Sequence, residues 1–585
     1  MLSVVQTKNT IMPDSDLPKP LWKSPIFLVS MAVCLLLFLF GGYLFFIWTP
    51  PLVISPATTR ITGPLTAKGD IDFFKALEQR YYPPELATDD NGFRIFVRLF
   101  GDVSDTAKGS DAEFYRLQRY EKLGLDPKVP PTLIFPLEPC DVYKNFYRAK
   151  GETVPIDEYS IGRTPWTLED YPMLEEWLKD IDAPLDAITE AIRKPVFFAP
   201  FLQTHEAAES DIPQNLLIIY LPDIEMFRII ARMFQARANY RIGQGNIDGA
   251  IDDKLTLHRL CRLVPQGGPL CQYLVGLYIE GIGAAIPVSA NPEHPLTEQQ
   301  IRRLLEGIDA LPPRTPINNA FEWERLQVLD CIQAIARRKT AVADYSKSVD
   351  GLGVYDRIMS ISCNWNIVCL RLNEVYDALL EPGSRTKFDS LVKKANPLIP
   401  ITVFERIKFY SRFMSPSSRG NFVADVLIRL YHAPEVSAAK GAVRRTECAE
   451  NLQRLSLAVL LYQCETSKLP DENWAAQIEK YLGENPQRYF SCPSNPSPEG
   501  QTTYAMVQYA NAVGGSRDSR DVLMFVELKA PVALDKAVIS ADDVLNRRNI
   551  VNKHAGGINT AHHSAAVRFL GDFVSTEELR RLLGL

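Results

Sequence analysis

Between Pro25 and Trp48 the chain sets 24 consecutive residues, PIFLVSMAVCLLLFLFGGYLFFIW, without one charged side chain. As a helix these extend about 36 Å at 1.5 Å per residue, enough to cross a hydrocarbon core of about 30 Å with some tilt. Trp22 and Trp48 flank the run, where amphipathic rings favour the membrane interface. A buried core helix would need apolar neighbours on every face. A cleaved signal peptide would carry a shorter apolar run followed closely by a small-x-small site, which is missing. The pattern therefore predicts a single uncleaved transmembrane signal-anchor over 25–48. Lys8, Lys19 and Lys23 precede it, while Arg60 is the only basic residue in the about 15 that follow. That bias predicts a cytoplasmic tail over 1–24 and an exported body, in a bacterium on the periplasmic side of the inner membrane.

Beyond the anchor, residues 49–69 are rich in Pro and Thr and read as an extended spacer. From 70 to 435 the apolar spacing is mainly helical, with room for two subdomains. Thr167 and Asp170 form a capping-box-like start to a helix in which Leu168, Tyr171, Leu174 and Leu178 recur at helical spacing. Pro184, Pro195 and Pro200 then predict short helices separated by turns. The clearest helical pair spans 221–264, broken at Gly243 and Gly245, with Asn246 placed to cap the second helix. Its turn, GNIDGAI, resembles that of a tetratricopeptide repeat in the small residues Gly245 and Ala250, although no second copy follows 34 residues on.

The last segment, 436–585, predicts an α+β domain with an antiparallel sheet. In 448–470 Cys448, Leu452, Leu455, Val459 and Tyr462 form one helical stripe, and a short helix with Trp474, Ile478 and Tyr481 expected inward follows. YFSCPS, TTYAMVQYA, DVLMFVEL and AAVRFLGDF read as strands, and Ser575 with Glu578 forms a capping box for a closing helix. Cys448-x-x-Asn451-Leu452, Lys468-Leu469-Pro470, Cys492-Pro493-Ser494 and His554…Asn559…Val567 together resemble the globular domain of pseudopilin-like proteins of the type II secretion kind. The resemblance covers about a quarter of the chain. It implies membership of a family of single-span bacterial envelope proteins with no assigned activity. One departure is Ser564-Ala565, where that family's last segment carries Asp-Gly in a tight turn. The anchor lacks a pilin leader, its processing site and an early glutamate, so pilin-type processing is not expected.

Composition narrows the function classes. The 585 residues are 46% hydrophobic and 23% charged with a net charge of −6, and no Lys/Arg cluster offers the basic footprint that nucleic acid requires. Ten cysteines are too few for a disulfide scaffold. Cys448 and Cys464 stand about 24 Å apart on one helix, so neither can bridge the other, but each could pair with Cys492. Cys261 and Cys271 flank a turn and form a second possible bridge, while Cys34 lies in the span. Of the clustered histidines, adjacent His562 and His563 point to opposite faces of a strand, and His554 would lie about 26 Å from His562 on a continuous one. A turn and strand edge is the better reading than a metal site.

No G-x-S-x-G elbow or Walker lysine loop occurs. GQGNIDG follows a helix rather than a strand, and HEAAE (205–209) lacks the second histidine of a zincin. Glu175-Glu176 reads as a solvated helix face. No catalytic, cofactor-binding or metal-ligating residue is therefore assigned. The expectation is a non-catalytic membrane-anchored scaffold that meets the lipid bilayer and other envelope proteins. An anchored hydrolase of a wall or surface polymer is the alternative, and a minor component of a secretion or pilus-like assembly a second one.

Overall fold

The computed structural model describes residues 25–46, 48–103, 110–155, 161–209, 215–219, 221, 223–291, 293–337, 363–383, 385–395, 412, 415–509, 522–550 and 554–585. The tail 1–24, with Trp22, Lys8, Lys19 and Lys23, lies outside them. Helix α1 (Pro25–Phe46) is long and apolar enough to cross a membrane, and no part of Ile26–Tyr43 is buried. The helical body comprises α2 (Phe73–Tyr81), α3 (Gly92–Phe100), α4 (Ser110–Lys122), α5 (Pro139–Ala149), α6 (Glu175–Ile192), α7 (His205–Glu209), α8 (Asp223–Gly243), α9 (Ile247–Leu263), α10 (Leu270–Ala285), α11 (Glu298–Asp309), α12 (Ile317–Ala336), α13 (Trp365–Leu380), α14 (Arg385–Lys394) and α15 (Pro416–Val426). After a π-helical segment, Leu427–His432, helix α16 (Ala433–Thr466) runs for 34 residues. Its first turns pack Val436 and Ala439 against α10 and α12, and its later turns pack Leu452 and Leu455 with the sheet, so body and carboxy-terminal domain share one rod about 51 Å long.

The domain beyond it holds α17 (Trp474–Ile478), β1 (Gln501–Gln508), β2 (Leu523–Ala533), β3 (Val538–Ser540), α18 (Ala541–Leu545), β4 (Gly557–His562), β5 (Val567–Gly571) and α19 (Thr576–Leu582). The sheet order is β3-β1-β2-β4-β5. Only the β1–β3 pair is parallel; β1–β2, β2–β4 and β4–β5 are antiparallel. A register shift between Thr502 and Tyr504 leaves Tyr504 opposite Glu527, a bulge of the sort that re-aims side chains. One sheet face is packed by α16 and α17 through Leu452, Leu455, Val459, Trp474 and Phe525, within a core continuous with α8, α9 and α10 of the body. Val544 and Leu582 cover the opposite face. A separate core surrounds Trp323, Trp365 and Phe73.

The α8–α9 hairpin forms as its sequence predicts. The Asn246 side chain accepts the Gly249 N–H at 3.1 Å and caps α9. Gly243 ends α8 against the chain at Trp166, where a Cβ would lie 2.1 Å from the Trp166 carbonyl oxygen. Lys254, wholly buried on α9, closes the other end by donating to the carbonyls of Gly283, Ala284 and Ile286 at 2.7, 3.2 and 3.2 Å. These carbonyls lie at and just past the end of α10, where those of Gly283 and Ile286 also accept the N–H groups of Ile286 and Val288.

Four expectations are corrected. Residues 49–69 are docked rather than an extended spacer: Asn366 binds the backbone of Pro51 and Val53, Asn373 that of Ala57 and Thr58, and Leu52 is buried. Thr167 does not start a helix: Asp170 accepts its N–H at 2.8 Å as in a capping box, but Pro172 disfavours helical geometry at Tyr171, and α6 begins at Glu175. Pro184 sits inside α6, where the buried stripe of Trp177, Ile181, Leu185 and Ile188 outweighs one missing hydrogen bond. YFSCPS is a 3₁₀ turn (Pro486–Phe490) followed by a tight bridge between Cys492 and Asn495. The β4–β5 turn resolves the Ser564-Ala565 question: Ala565 takes the left-handed conformation at φ 60°, and the Ser564 carbonyl accepts the Ser289 N–H of the body at 3.0 Å.

Candidate functional site

A cleft of about 940 Å³ opens between the body and the carboxy-terminal domain. The body supplies α8, α10 and the loop at 161–164; the domain supplies α16, β5 and α19. It stays open because small residues face one another across it, Gly281, Ala284 and Ala285 on α10 and Ala442 and Ala449 on α16.

Glu280 and Glu450 on its wall belong to a buried cluster with Arg262 and Arg314. Glu280 is buried on α10, and Arg314 reaches it through both terminal nitrogens at 2.7 and 2.9 Å. Arg314 also pairs with Glu450 of α16 at 2.8 Å, and Arg262 contacts both carboxylates. The two glutamates interact directly and their proton affinities are driven apart. Burial, then the charge of Glu450, pushes Glu280 up; Glu450 is also buried, but Arg314, the hydrogen bond from Glu280 and Arg262 together hold it down. The folded pair thus keeps a proton on Glu280 that the unfolded chain releases near the ordinary glutamate value of about 4.3. The contribution of Glu280 to stability should fall as pH rises above that value, by at most about 1.4 kcal/mol per pH unit, until its raised value is passed. Urea denaturation across this range should show the decline, and Glu280→Gln should make it shallower by up to that amount.

On the cleft wall Arg445 of α16 is half-buried with its guanidinium 4.8 Å from the Phe569 ring centre. Among the described residues it has no acidic partner, and burial pushes its guanidinium pKa down. Exposed Arg163 lines the same cleft. Next to the four-charge cluster, His258, Cys261 and Glu280 bring three donor atoms within 4.8 Å of one another. Burial, reinforced by Lys254 and Arg262, pushes His258 down to about 3 and keeps it neutral. Arg262 and Arg314 already occupy the Glu280 carboxylate, and their charges oppose a cation there.

A second group lies under the cleft, inside the carboxy-terminal domain. Cys448 (α16), Cys492, Glu527 (β2) and His554 converge with all four donor atoms within 4.8 Å of one another, and all four residues are buried. The Cys448 Sγ–H donates to Glu527 Oε1 at 2.9 Å, His554 Nε2 stands 3.0 Å from the same oxygen, and Cys492 Sγ lies 3.6 Å from His554 Nε2. Burial pushes the Cys448 thiol well up, whereas hydrogen bonds from Cys448 and then His554 bring Cys492 down to about 7. Burial works against charge on His554, yet its bonds to Cys492 and Glu527 prevail and hold it at about 9.

His562 and His563 take no part in this group. His562 is fully buried beside Thr560, and burial drives His563 down to about 4. All ten cysteines are free thiols. Cys261 and Cys271 remain unbridged, and exposed Cys464 lies near the Leu296 carbonyl rather than Cys492. Sequence spacing assigned no site residue; it weighed His554 against neighbouring histidines, while its partners lie 27, 62 and 106 positions away. The available signal was Glu527, a lone acid in the apolar strand VLMFVEL. No family model, curated protein or solved structure matches this chain.

Proposed function

We propose that the protein is a non-catalytic, membrane-anchored envelope protein whose interdomain cleft receives an acidic segment of a partner protein. The carrying observation is Arg445: a half-buried guanidinium on the cleft wall that pairs with none of the carboxylates among the described residues gains most from an incoming one. Arg163 across the entrance adds to the attraction. α1 supplies the anchor, and the Lys8, Lys19 and Lys23 bias supports a cytoplasmic amino terminus and a periplasmic body. A long helix leading into a sheet with three antiparallel pairs and one parallel pair, where the sequence predicts an antiparallel sheet, supports the pseudopilin-like reading of 436–585. Alkaline phosphatase fused behind Leu585 should be active and green fluorescent protein dark; the reverse pattern overturns this topology.

The binding test is titration of the detergent-solubilised full chain with a Glu/Asp-rich peptide. Arg445→Ala should weaken affinity about 10- to 100-fold, as expected for loss of one charge-assisted hydrogen bond of about 1.5–3 kcal/mol. Arg445→Glu should abolish binding, and added salt should weaken the wild type. Equal binding by wild type and Arg445→Glu would sink the proposal.

The hydrolase reading has one observation in its favour, two carboxylates in one cleft with separated proton affinities. Against it, Glu280 and Glu450 interact directly, closer than the about 5–9.5 Å spacing of two-carboxylate glycosidases, and both are held by guanidinium groups. The cluster is better suited to clamping α10 to α16.

A further inference from the structure

We propose that Cys448, Cys492, Glu527 and His554 form a four-coordinate zinc site that staples α16 to the sheet. Two sulfurs, an imidazole nitrogen and a carboxylate oxygen are a donor set of the kind that closes a structural zinc site, with no position left for substrate. Donors about 2.0–2.3 Å from one tetrahedral ion stand roughly 3.3–3.8 Å apart. Three of the six donor–donor distances here are 2.9, 3.0 and 3.6 Å and all six are within 4.8 Å, so small adjustments bring the donors to those edges.

The surroundings are built to orient these ligands. His554 Nδ1 lies 3.2 Å from Ser494 Oγ, which fixes the ring with Nε2 facing the centre. Glu527 Oε2 accepts the Asn559 N–H at 2.7 Å, leaving Oε1 turned inward. The Tyr504 hydroxyl donates to Cys448 Sγ at 3.3 Å, a contact that stabilises a thiolate. Glu527 is nearly inaccessible, and among the described residues no Lys or Arg pairs with it. A buried carboxylate requires a countercharge; His554 is its partner here, and a divalent cation would take over that charge at the same oxygen. Zinc takes the two cysteines as thiolates and His554 as a neutral imidazole, and the protons these three ligands carried pass to water.

The site would also order the cleft. Asn559, bound to Glu527 through its backbone, donates from Nδ2 to the Arg445 carbonyl at 2.7 Å. Zinc would thereby fix the turn of α16 that presents Arg445, although its binding does not depend on the cleft having any ligand.

The test uses the full chain purified in detergent under reducing conditions without chelator. Elemental analysis should find about one zinc per chain, and cobalt(II) in its place should show thiolate-to-metal charge-transfer absorption. Cys448→Ser, Cys492→Ser and Glu527→Gln should each lose the metal, while Cys464→Ser should keep it. Because the core variants can misfold, wild-type protein stripped with a chelator serves as the second arm: one equivalent of zinc should bind and raise the melting temperature. A folded chain with zinc near zero both as isolated and after titration overturns the proposal. So does a Cys448–Cys492 disulfide in unreduced protein taken from cells.

Discussion

Trp474→Ala should lower the stability of the carboxy-terminal domain by about 3–5 kcal/mol, the range for emptying a buried aromatic site. Trp474 is fully buried, its ring centre 4.8 Å from that of Phe525 on β2 and 5.8 Å from that of Phe490. Its indole N–H donates to the Ala537 carbonyl at 2.7 Å, tying α17 to the residue that precedes β3. That carbonyl also accepts the Met506 N–H at 3.0 Å, so truncation leaves it paired. The loss is therefore mainly of packing, and the cavity opens between helix and sheet, where neither can collapse without breaking strand register. Trp474→Phe keeps most of the volume and should cost clearly less. Urea denaturation of the full chain gives the magnitude, and amide hydrogen exchange over 448–585 locates it. Exchange rates in that segment unchanged by Trp474→Ala would refute the assignment.

The same tryptophan shows what the sequence could reveal. Trp474 and Ile478 point inward as their spacing predicts, because a short amphipathic helix has one way to bury its apolar side. Asn246 and Ser575 cap their helices as expected, since capping is chemistry between residues two or three positions apart. What escaped depended on distance. Thr167 and Asp170 make the contacts of a helix start, but Pro172 turns the chain before the helix can propagate. The docking of 49–69 relies on Asn366 and Asn373, over 310 positions away. The buried tetrad is the extreme case: its donors come from a helix, a tight bridge, a bulged strand and an irregular residue before β4. No local spacing connects them. Arg445 was equally hidden, because only the tertiary structure shows that this basic residue on α16 faces the cleft without an acidic partner among the described residues.

Asp253→Ala should cost about 3–5 kcal/mol, because it strands the Arg237 guanidinium in the α8–α9 interface. Arg237 and Asp253 are both buried and meet at 2.6 Å; Arg241 reaches the other carboxylate oxygen at 3.1 Å. Asp182 and Asp186 of α6 also touch Arg237, but both are largely exposed, so water competes for their carboxylates and they replace Asp253 only in part. That places the loss toward the lower end of the range. The pair itself adds little net stability: burial raises Asp253 to about 6 despite Arg237 and Arg241, so enclosing its charge costs more than those partners return. The sign follows. A raised carboxyl value means the folded state holds a proton the unfolded state has released, so this group's contribution declines between about pH 3.9 and its folded value near 6. Removing both charges should therefore be far milder than removing one. The Arg237→Met, Asp253→Leu double variant should recover most of the loss, with a coupling energy above about 1.5 kcal/mol in a double-mutant cycle read by urea denaturation. Additive losses would mean that the two side chains do not act as a pair.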